Sequence, residues 1–183
     1  MNLSQTLIQF AVFQITWIVA ALGYQWFGTE LWMWPALVGL LLTLVWSPVP
    51  IKSIAIALVA GISLGVLMDG VLSLLGIYAF PEERATLPHD WIPLWLVVMW
   101  CAFVTTLMGS ALWLLNKPVP FLLASAVMGP LSYFVGMQFG IIQFELSSLP
   151  IVVVGWAIWA AMFSAIWQWL GVTRVNQTEA ITQ

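Results

Sequence analysis

The sequence predicts an all-α fold, a polytopic membrane helix bundle with six transmembrane helices and both termini on the cytoplasmic side. Hydrophobic residues make up 63% of its 183 residues and charged residues 6%, against about 45–50% and about 25% in a soluble domain. The chain has four Lys or Arg, seven Asp or Glu and one His, and all of them except Asp69 lie between long apolar runs. Lipid accepts apolar surface on all sides, so this distribution indicates a bilayer as the solvent.

The apolar runs are long enough to act as membrane spans, since about 20 apolar residues cross a hydrocarbon core of about 30 Å. The breaks between the runs are polar or contain proline, which cannot continue a helical hydrogen-bond ladder. We expect one transmembrane domain over residues 1–172 and a polar cytoplasmic tail over residues 173–183. The predicted spans are Leu7–Phe27, Leu31–Trp46, Ser53–Phe80, Trp91–Leu115, Val119–Phe144 and Leu149–Leu170.

Charges between the predicted spans sort by side. One side holds Lys52, Lys117 and Arg174, with Glu179 as its acid. The other side holds one base, Arg84, and the acids Glu30, Glu82, Glu83, Asp90 and Glu145. Because Lys and Arg mark the cytoplasmic side of membrane proteins, both termini are predicted to be cytoplasmic.

The composition argues against several classes of function. A net charge of −3 with four basic residues argues against nucleic-acid binding, because phosphate contacts require clustered Lys and Arg. Cys101 is the single cysteine, so an intrachain disulfide is excluded. No cofactor or metal site is predicted, because Glu82, Glu83, His89 and Asp90 match no standard ligand spacing and fit a solvated loop better than a cation site.

Asp69 is the strongest candidate for a functional residue inside the predicted spans. A carboxyl group inside a membrane is costly, so such residues face the bundle interior and are often functional. Two states remain open: a neutral, protonated carboxyl group, or a carboxylate that meets backbone groups or water. With deep tryptophans and polar groups, Asp69 is predicted to line a ligand site, and the alternative is plain core packing. The candidate ligand-binding residues are Gln14, Trp17, Asp69, Trp100, Thr106 and Trp159.

Small residues recur at helical spacing in the third and fifth predicted spans. Such stripes let helices approach closely, so they predict helix packing rather than a site. The predicted packing residues are Gly61, Gly65, Gly129, Gly136 and Gly140.

The sequence offers no catalytic constellation inside the spans. Its single histidine, His89, lies in a predicted outer loop, and Asp69 has no second carboxylate to share a site with. The chain is therefore expected not to be an enzyme on its own.

Several pieces in order resemble one family: Phe13-Gln14 with Trp17, Gly65 with Asp69 and Gly76, Pro93-Leu94-Trp95 with Trp100, and Gly129-Pro130-Leu131 with Tyr133. The chain resembles the bacterial inner-membrane family catalogued as domain of unknown function 2878. This resemblance implies a small polytopic protein of the inner membrane, encoded near lipid-modifying genes. That family often has Asn-His after the Thr-Leu pair of the fourth span, whereas this chain has Met108-Gly109.

Three functions remain open. The first is a protein that binds or passes an apolar or lipid ligand between its helices, with membrane lipids or an apolar small molecule as partner. The second is a small-solute transporter or its membrane-embedded substrate-binding subunit, by analogy of helix count alone. The third is an accessory component of a lipid-modifying enzyme system. A homo-oligomer or another membrane partner fits each of them, because small-residue stripes can join helices between chains.

Overall fold

The structure is a computed structural model that describes residues 1–81 and 92–171. Within those residues the fold is helical, apart from one pair of two-residue strands. The helices are α1 (Leu3–Phe27), α2 (Met33–Leu42), α3 (Ile51–Leu74), α4 (Leu94–Leu107), α5 (Leu112–Leu115), α6 (Pro118–Gln138) and α7 (Leu149–Trp169). The strands β1 (Tyr78–Ala79) and β2 (Gln143–Phe144) pair antiparallel, and 3₁₀ turns span Thr43–Trp46 and Leu146–Ser148.

Four helical stretches are long and apolar enough to cross a membrane: Leu3–Phe27, Ile51–Leu74, Pro118–Gln138 and Leu146–Trp169. Two further apolar stretches, Met33–Trp46 and Leu94–Leu107, are shorter. The all-α class predicted from the sequence is therefore confirmed, and the four apolar stretches suggest a membrane protein. The number of spans and the side on which the termini lie stay predictions, because length and composition alone qualify four of the described helical stretches.

Two predicted spans end earlier in the structure than in the sequence analysis. The third, predicted to reach Phe80, ends as α3 at Leu74, and the fifth, predicted to reach Phe144, ends as α6 at Gln138. Each end is followed by a glycine with positive φ, Gly76 at 71° and Gly140 at 68°. A left-handed residue ends a helix, and glycine adopts it without a Cβ penalty. The apolar residues beyond each glycine form β1 and β2 instead.

The fourth predicted span is interrupted. Helix α4 stops at Leu107, a turn covers residues 108–111, and the short helix α5 follows. Irregular backbone at this depth must be satisfied within the protein. The hydroxyl of Ser47 does so at the turn by donating to the carbonyl of Met108 at 2.5 Å.

The helix ends fall into two groups, named here by their charges. At the acidic end, which carries Glu30 and Glu145, the β1–β2 pair joins the C-terminal ends of α3 and α6. The Gln25 amide donates to the carbonyl of Phe139 at 3.1 Å, which brings the end of α1 to the same place. At the basic end, which carries Lys52 and Lys117, the Trp167 indole donates to Asn116 at 2.9 Å. Helices α1, α3 and α6 therefore all run from the basic end to the acidic end.

Helix α4 lies at the centre of the packing. It packs against α1, α2 and α3, while α7 packs against α3 and α6. Apolar side chains also point away from the bundle, for example Val59 on α3 at 68% exposure and Val127 on α6 at 64%. A surface of this kind suits contact with lipid tails.

Glycines on α3 and α6 give room to aromatic side chains. A Cβ placed on Gly65 would fall within the Trp100 indole, and one on Gly129 within the Trp156 indole. A Cβ on Gly61 would meet Val104 and Phe163. Side chains from neighbouring helices therefore fill the space over these three glycines. Gly136 sits in looser contact with Ile141. Gly140 differs from the prediction, because it lies in the turn after α6 and serves the backbone there.

The polar tail predicted over residues 173–183 lies outside the described residues, as do Arg84, Trp91 and the acidic group Glu82, Glu83, His89 and Asp90.

We expect Gly65→Ala to destabilise the folded protein by about 1–3 kcal/mol, because the new methyl overlaps a ring that cannot move freely. Gly39→Ala is the matched control, since its Cβ would lie 3.9 Å from Val12, an ordinary contact. Thermal unfolding of both variants in detergent, followed by size-exclusion chromatography, measures the difference. Equal melting temperatures for the two variants would contradict the tight Gly65–Trp100 contact.

Candidate functional site

Asp69 lies at the centre of a buried hydrogen-bonded group, called here the Asp69 cage. Its side chain has no exposed surface. The Tyr78 hydroxyl donates to Oδ1 at 2.6 Å, the Tyr133 hydroxyl donates to the same oxygen, and the Trp100 indole donates to Oδ2 at 2.6 Å. The cage therefore satisfies a carboxyl group inside the bundle without a basic residue.

Four elements supply the cage. Asp69 comes from α3, Tyr78 from β1, Trp100 from α4 and Tyr133 from α6. Asp69 stands five residues before the end of α3, which is roughly 7–8 Å along the helix axis. It therefore lies nearer to the acidic end than a span reaching Phe80 predicts. The left-handed turn at Gly76 reverses the chain so that Tyr78 folds back over the carboxyl group.

The three donors limit the protonation states that the Asp69 carboxyl group can adopt. An indole N–H only donates, so Oδ2 acts as an acceptor toward Trp100. An ionised carboxylate accepts about four hydrogen bonds and is served by all three donors. A neutral carboxylic acid also finds partners in the cage, because a tyrosine hydroxyl can accept a hydrogen bond from the acid O–H as well as donate one. Both states left open by the sequence are compatible with the cage.

An aromatic cluster seals the side of the cage that faces α7. Trp100 stacks on Trp156 with ring centroids 5.0 Å apart and planes at 25°. Trp159 lies 5.0 Å from Trp100 and stacks on Phe163 at 5.1 Å and 15°. The Trp159 indole also donates to the carbonyl of Gly61 at 3.2 Å. Such pairs are worth about 0.5–1.5 kcal/mol beyond their burial, so this part of the interior is a packed core.

A small cleft reaches the other side of the cage. It has a volume of about 40 Å³ and lies between α1 and α6, with α4 as its floor. Ile141 and Ile142 close it toward the acidic end, below the Gln25–Phe139 hydrogen bond. Tyr133 belongs both to the cleft wall and to the cage. The other wall residues include Trp17, Ala21, Leu96, Met99, Ser132 and Gly136.

The structure brings together some of the predicted ligand residues. Asp69, Trp100 and Trp159 lie in the cage and the adjoining aromatic cluster. Trp17 lines the cleft instead. Thr106 is buried, and its hydroxyl donates to the carbonyl of Ala102 within α4 at 2.9 Å.

Gln14 lies apart from both groups. It is exposed on α1, one position from the exposed Ile15, so its amide points away from the bundle. The polar residues of α1 that face inward are Gln9 and Thr16, neither of which has any exposed surface.

Tryptophans near the helix ends are divided between the core and the surface. Trp95 is 2% exposed and Trp167 is 1% exposed. Trp26, Trp32 and Trp113 are exposed at 57%, 55% and 63%, which suits residues at a membrane interface.

Sequence reasoning missed the two tyrosines of the cage. The chain has three tyrosines, and a buried phenol needs a polar partner. The apolar runs hold one acid, Asp69. Tyr78 and Tyr133 lie in or near those runs, so Asp69 is the partner that the sequence offers to their hydroxyl groups.

It also missed a second polar group near the basic end. Gln9 donates to the Thr43 hydroxyl at 2.8 Å and accepts from the Ser110 backbone N–H at 2.5 Å. A Cβ at Gly109 would overlap the Gln9 amide. The absence of a side chain at Gly109 therefore leaves room that the Gln9 amide fills.

We expect Asp69→Leu to cost several kcal/mol of stability, because it leaves three buried donors unpaired at about 1–3 kcal/mol each. Asp69→Asn should cost less, since its amide oxygen can accept from Trp100 and its amide N–H can donate to the tyrosine hydroxyls. Unfolding in mixed detergent, monitored by tryptophan fluorescence, ranks the two variants. Equal losses for Asn and Leu would contradict the hydrogen-bonding role of the cage.

Comparison with known proteins gives a family. No solved structure and no curated protein matches the chain. A family model described as a protein of unknown function, DUF2878, matches residues 6–165. That range covers every predicted ligand residue, the cage and both walls of the cleft. The resemblance seen in the sequence is confirmed, and the chain belongs to the DUF2878 family.

Proposed function

We propose that this protein is a six-span membrane protein that binds an acyl chain of a membrane lipid in the cleft between α1 and α6. The observation that carries the proposal is the cleft itself, which separates two apolar helices and ends at Tyr133 of the cage. Small-molecule sites in helical bundles lie between helices, with apolar walls and a few polar groups. Ser132 and Tyr133 are the polar groups here.

The size of the cleft limits what enters it. A volume of about 40 Å³ exceeds the roughly 10–15 Å³ that one water requires, yet is far below a lipid. We infer that a short part of one acyl chain enters the cleft. The rest of that acyl chain would lie along the apolar outer surfaces of α1 and α6, where Ile18 and Leu131 are exposed.

The direction of the helices supports six crossings. Since α1, α3 and α6 all run from the basic end to the acidic end, the chain between them must return each time. Met33–Trp46 makes the first return and residues 94–115 make the second. With α7 running back, the start of α1 and the end of α7 both come to the basic end. The positive-inside rule then makes that end cytoplasmic, and the resemblance makes the bacterial inner membrane the proposed location.

The six crossings can be tested by cysteine labelling in a Cys101→Ala background with a membrane-impermeant maleimide. We expect Thr29→Cys and Glu145→Cys to be labelled in intact cells. Pro48→Cys and Asn116→Cys should be labelled only after permeabilisation. Val127→Cys, on the apolar surface of α6, is the unlabelled control. Labelling of Pro48→Cys together with Thr29→Cys in intact cells would show that α2 does not cross.

Lipid binding can be tested with a lipid that carries a diazirine in one acyl chain. After photolysis in vesicles, we expect more crosslinks at Met99 and Ser132 than at Val59, which faces the lipid surface. Met99→Trp should fill the cleft and lower crosslinking at Ser132 at least about fivefold, or about 1 kcal/mol. Residue-level mass spectrometry measures the crosslinks.

Val59→Trp is the control, because it adds the same ring outside the cleft. Equal crosslinking at Val59 and at the cleft residues would show that the probe only contacts the surrounding bilayer lipid, and it would contradict the proposal. Solute uptake by proteoliposomes, lost in Met99→Trp, would favour a transporter instead.

A further inference from the structure

The Tyr78 hydroxyl of the Asp69 cage has two acceptors within reach. It lies 2.6 Å from Oδ1 of Asp69 and 3.3 Å from the main-chain carbonyl oxygen of the same residue. A hydroxyl carries one hydrogen, so it donates fully to one acceptor at a time. Tyr78 can therefore give up its hydrogen bond to Oδ1 without being left unpaired.

A proton added to Asp69 would use this second acceptor. The proton belongs on Oδ1, because Oδ2 accepts from the Trp100 indole, which only donates. The new O–H finds its acceptor in the Tyr78 oxygen, and the Tyr78 hydrogen turns to the main-chain carbonyl. Tyr133 still donates to Oδ1. Each of the three cage donors thus has an acceptor both before and after the proton binds.

The elements around Asp69 bring no charged side chain to it. Helix α3 packs against α4, α7 and β1, and Tyr133 reaches Asp69 from α6. The titratable side chains of these four elements are Tyr78, Cys101 and Tyr133, all of types that are uncharged near neutral pH. On α3 itself, Lys52 stands at the other end, roughly 25 Å away along the axis. Proton uptake by Asp69 therefore changes the charge of the cage with no nearby group to compensate.

Tyr133 connects the charge of Asp69 with the cleft. Its side chain belongs to the cleft wall, and its hydroxyl donates to Asp69. A hydrogen bond to an ionised group is roughly twice as strong as one to a neutral group. Tyr133 is therefore held more firmly when Asp69 is ionised. A wall held in place lowers the entropic cost of binding, so the ionised state favours an acyl chain in the cleft.

We propose that Asp69 is a proton-binding site and that proton uptake there weakens the binding of an acyl chain in the cleft. This inference rests on the proposed function and adds its regulation. One proton passes from water to Oδ1, no other covalent bond changes, and the carboxyl group loses its negative charge. Coupling between two sites is reciprocal, so a bound acyl chain also opposes proton uptake.

The proton site can be tested without any lipid probe. The chain has two aspartates, Asp69 and Asp90. Full-length Asp90→Asn protein, made with aspartate isotope-labelled at the side-chain carboxyl, therefore carries the label at Asp69 alone. Infrared spectra are recorded at about pH 5 and about pH 8, limits between which folded proteins are generally stable. We expect the labelled acid C=O band at the lower pH and labelled carboxylate bands at the higher pH. A labelled group that stays acid, or stays carboxylate, at both values overturns the inference.

The coupling is measured with the diazirine lipid in phosphatidylcholine vesicles at the same two pH values. We expect the ratio of crosslinks at Ser132 to those at Val59 to be about fivefold lower at the lower pH, the small end of typical coupling. Asp69→Asn, whose amide N–H replaces the acid O–H, should give the low ratio at both values. Glu145→Gln is the matched control, because it removes an exposed carboxylate outside the cage and should keep the native response.

The two measurements separate this inference from the proposed function. An infrared change without a change in the crosslink ratio overturns the coupling, and a pH response retained in Asp69→Asn assigns it to another group. If that variant does not fold, the labelled Asp90→Asn protein, whose cage is intact, still tests both steps. If the native chain shows no preference for Ser132 over Val59 at either pH, the proposed function fails and the coupling fails with it, while the infrared spectra still decide whether Asp69 exchanges a proton.

Discussion

A single carboxyl group with no cationic neighbour in the described part of the chain constrains the interior of this protein. Asp69 can be buried only because Tyr78, Trp100 and Tyr133 each donate a hydrogen bond to it. Those donors come from β1, α4 and α6, so satisfying one side chain fixes three other elements relative to α3. The requirement extends further, because the Trp100 ring can reach Asp69 only over the bare backbone of Gly65.

The cage and the cleft divide the bundle into a densely packed half and a more open half. On the α7 side, tryptophans and Phe163 stack against one another. On the α1 side, α1 and α6 are held together near the acidic end by the Gln25–Phe139 hydrogen bond. Tyr133 touches both halves. A molecule in the cleft would therefore meet a side chain whose orientation is already fixed by Asp69, and preorganisation of this kind lowers the entropic cost of binding.

The sequence predicts the fold class and the importance of Asp69, since both follow from hydropathy and from the cost of a charge in lipid. Helix ends were predicted less well. Apolar residues such as Ile77 and Tyr78 look like a continuing span, and only the backbone angle of Gly76 shows that the helix has ended. The site was predicted in part, because helical depth placed Asp69, Trp100 and Trp159 together. Position along a helix does not show which way a side chain faces. The predicted set of ligand residues therefore also includes Gln14, whose side chain points outward.

If the Met33–Trp46 segment crosses the membrane as proposed, its short length has a consequence for the surrounding bilayer. Ten α-helical residues and four 3₁₀ residues give roughly 23 Å of length, several ångströms less than a hydrocarbon core of about 30 Å. Val38, Leu42 and Val45 face outward on this segment. Lipids beside a crossing of this length would compress or tilt to cover them, which would thin the membrane locally. Because α2 packs against α1, this deformation would lie close to one wall of the cleft, where lipid chains would already be displaced from bulk packing.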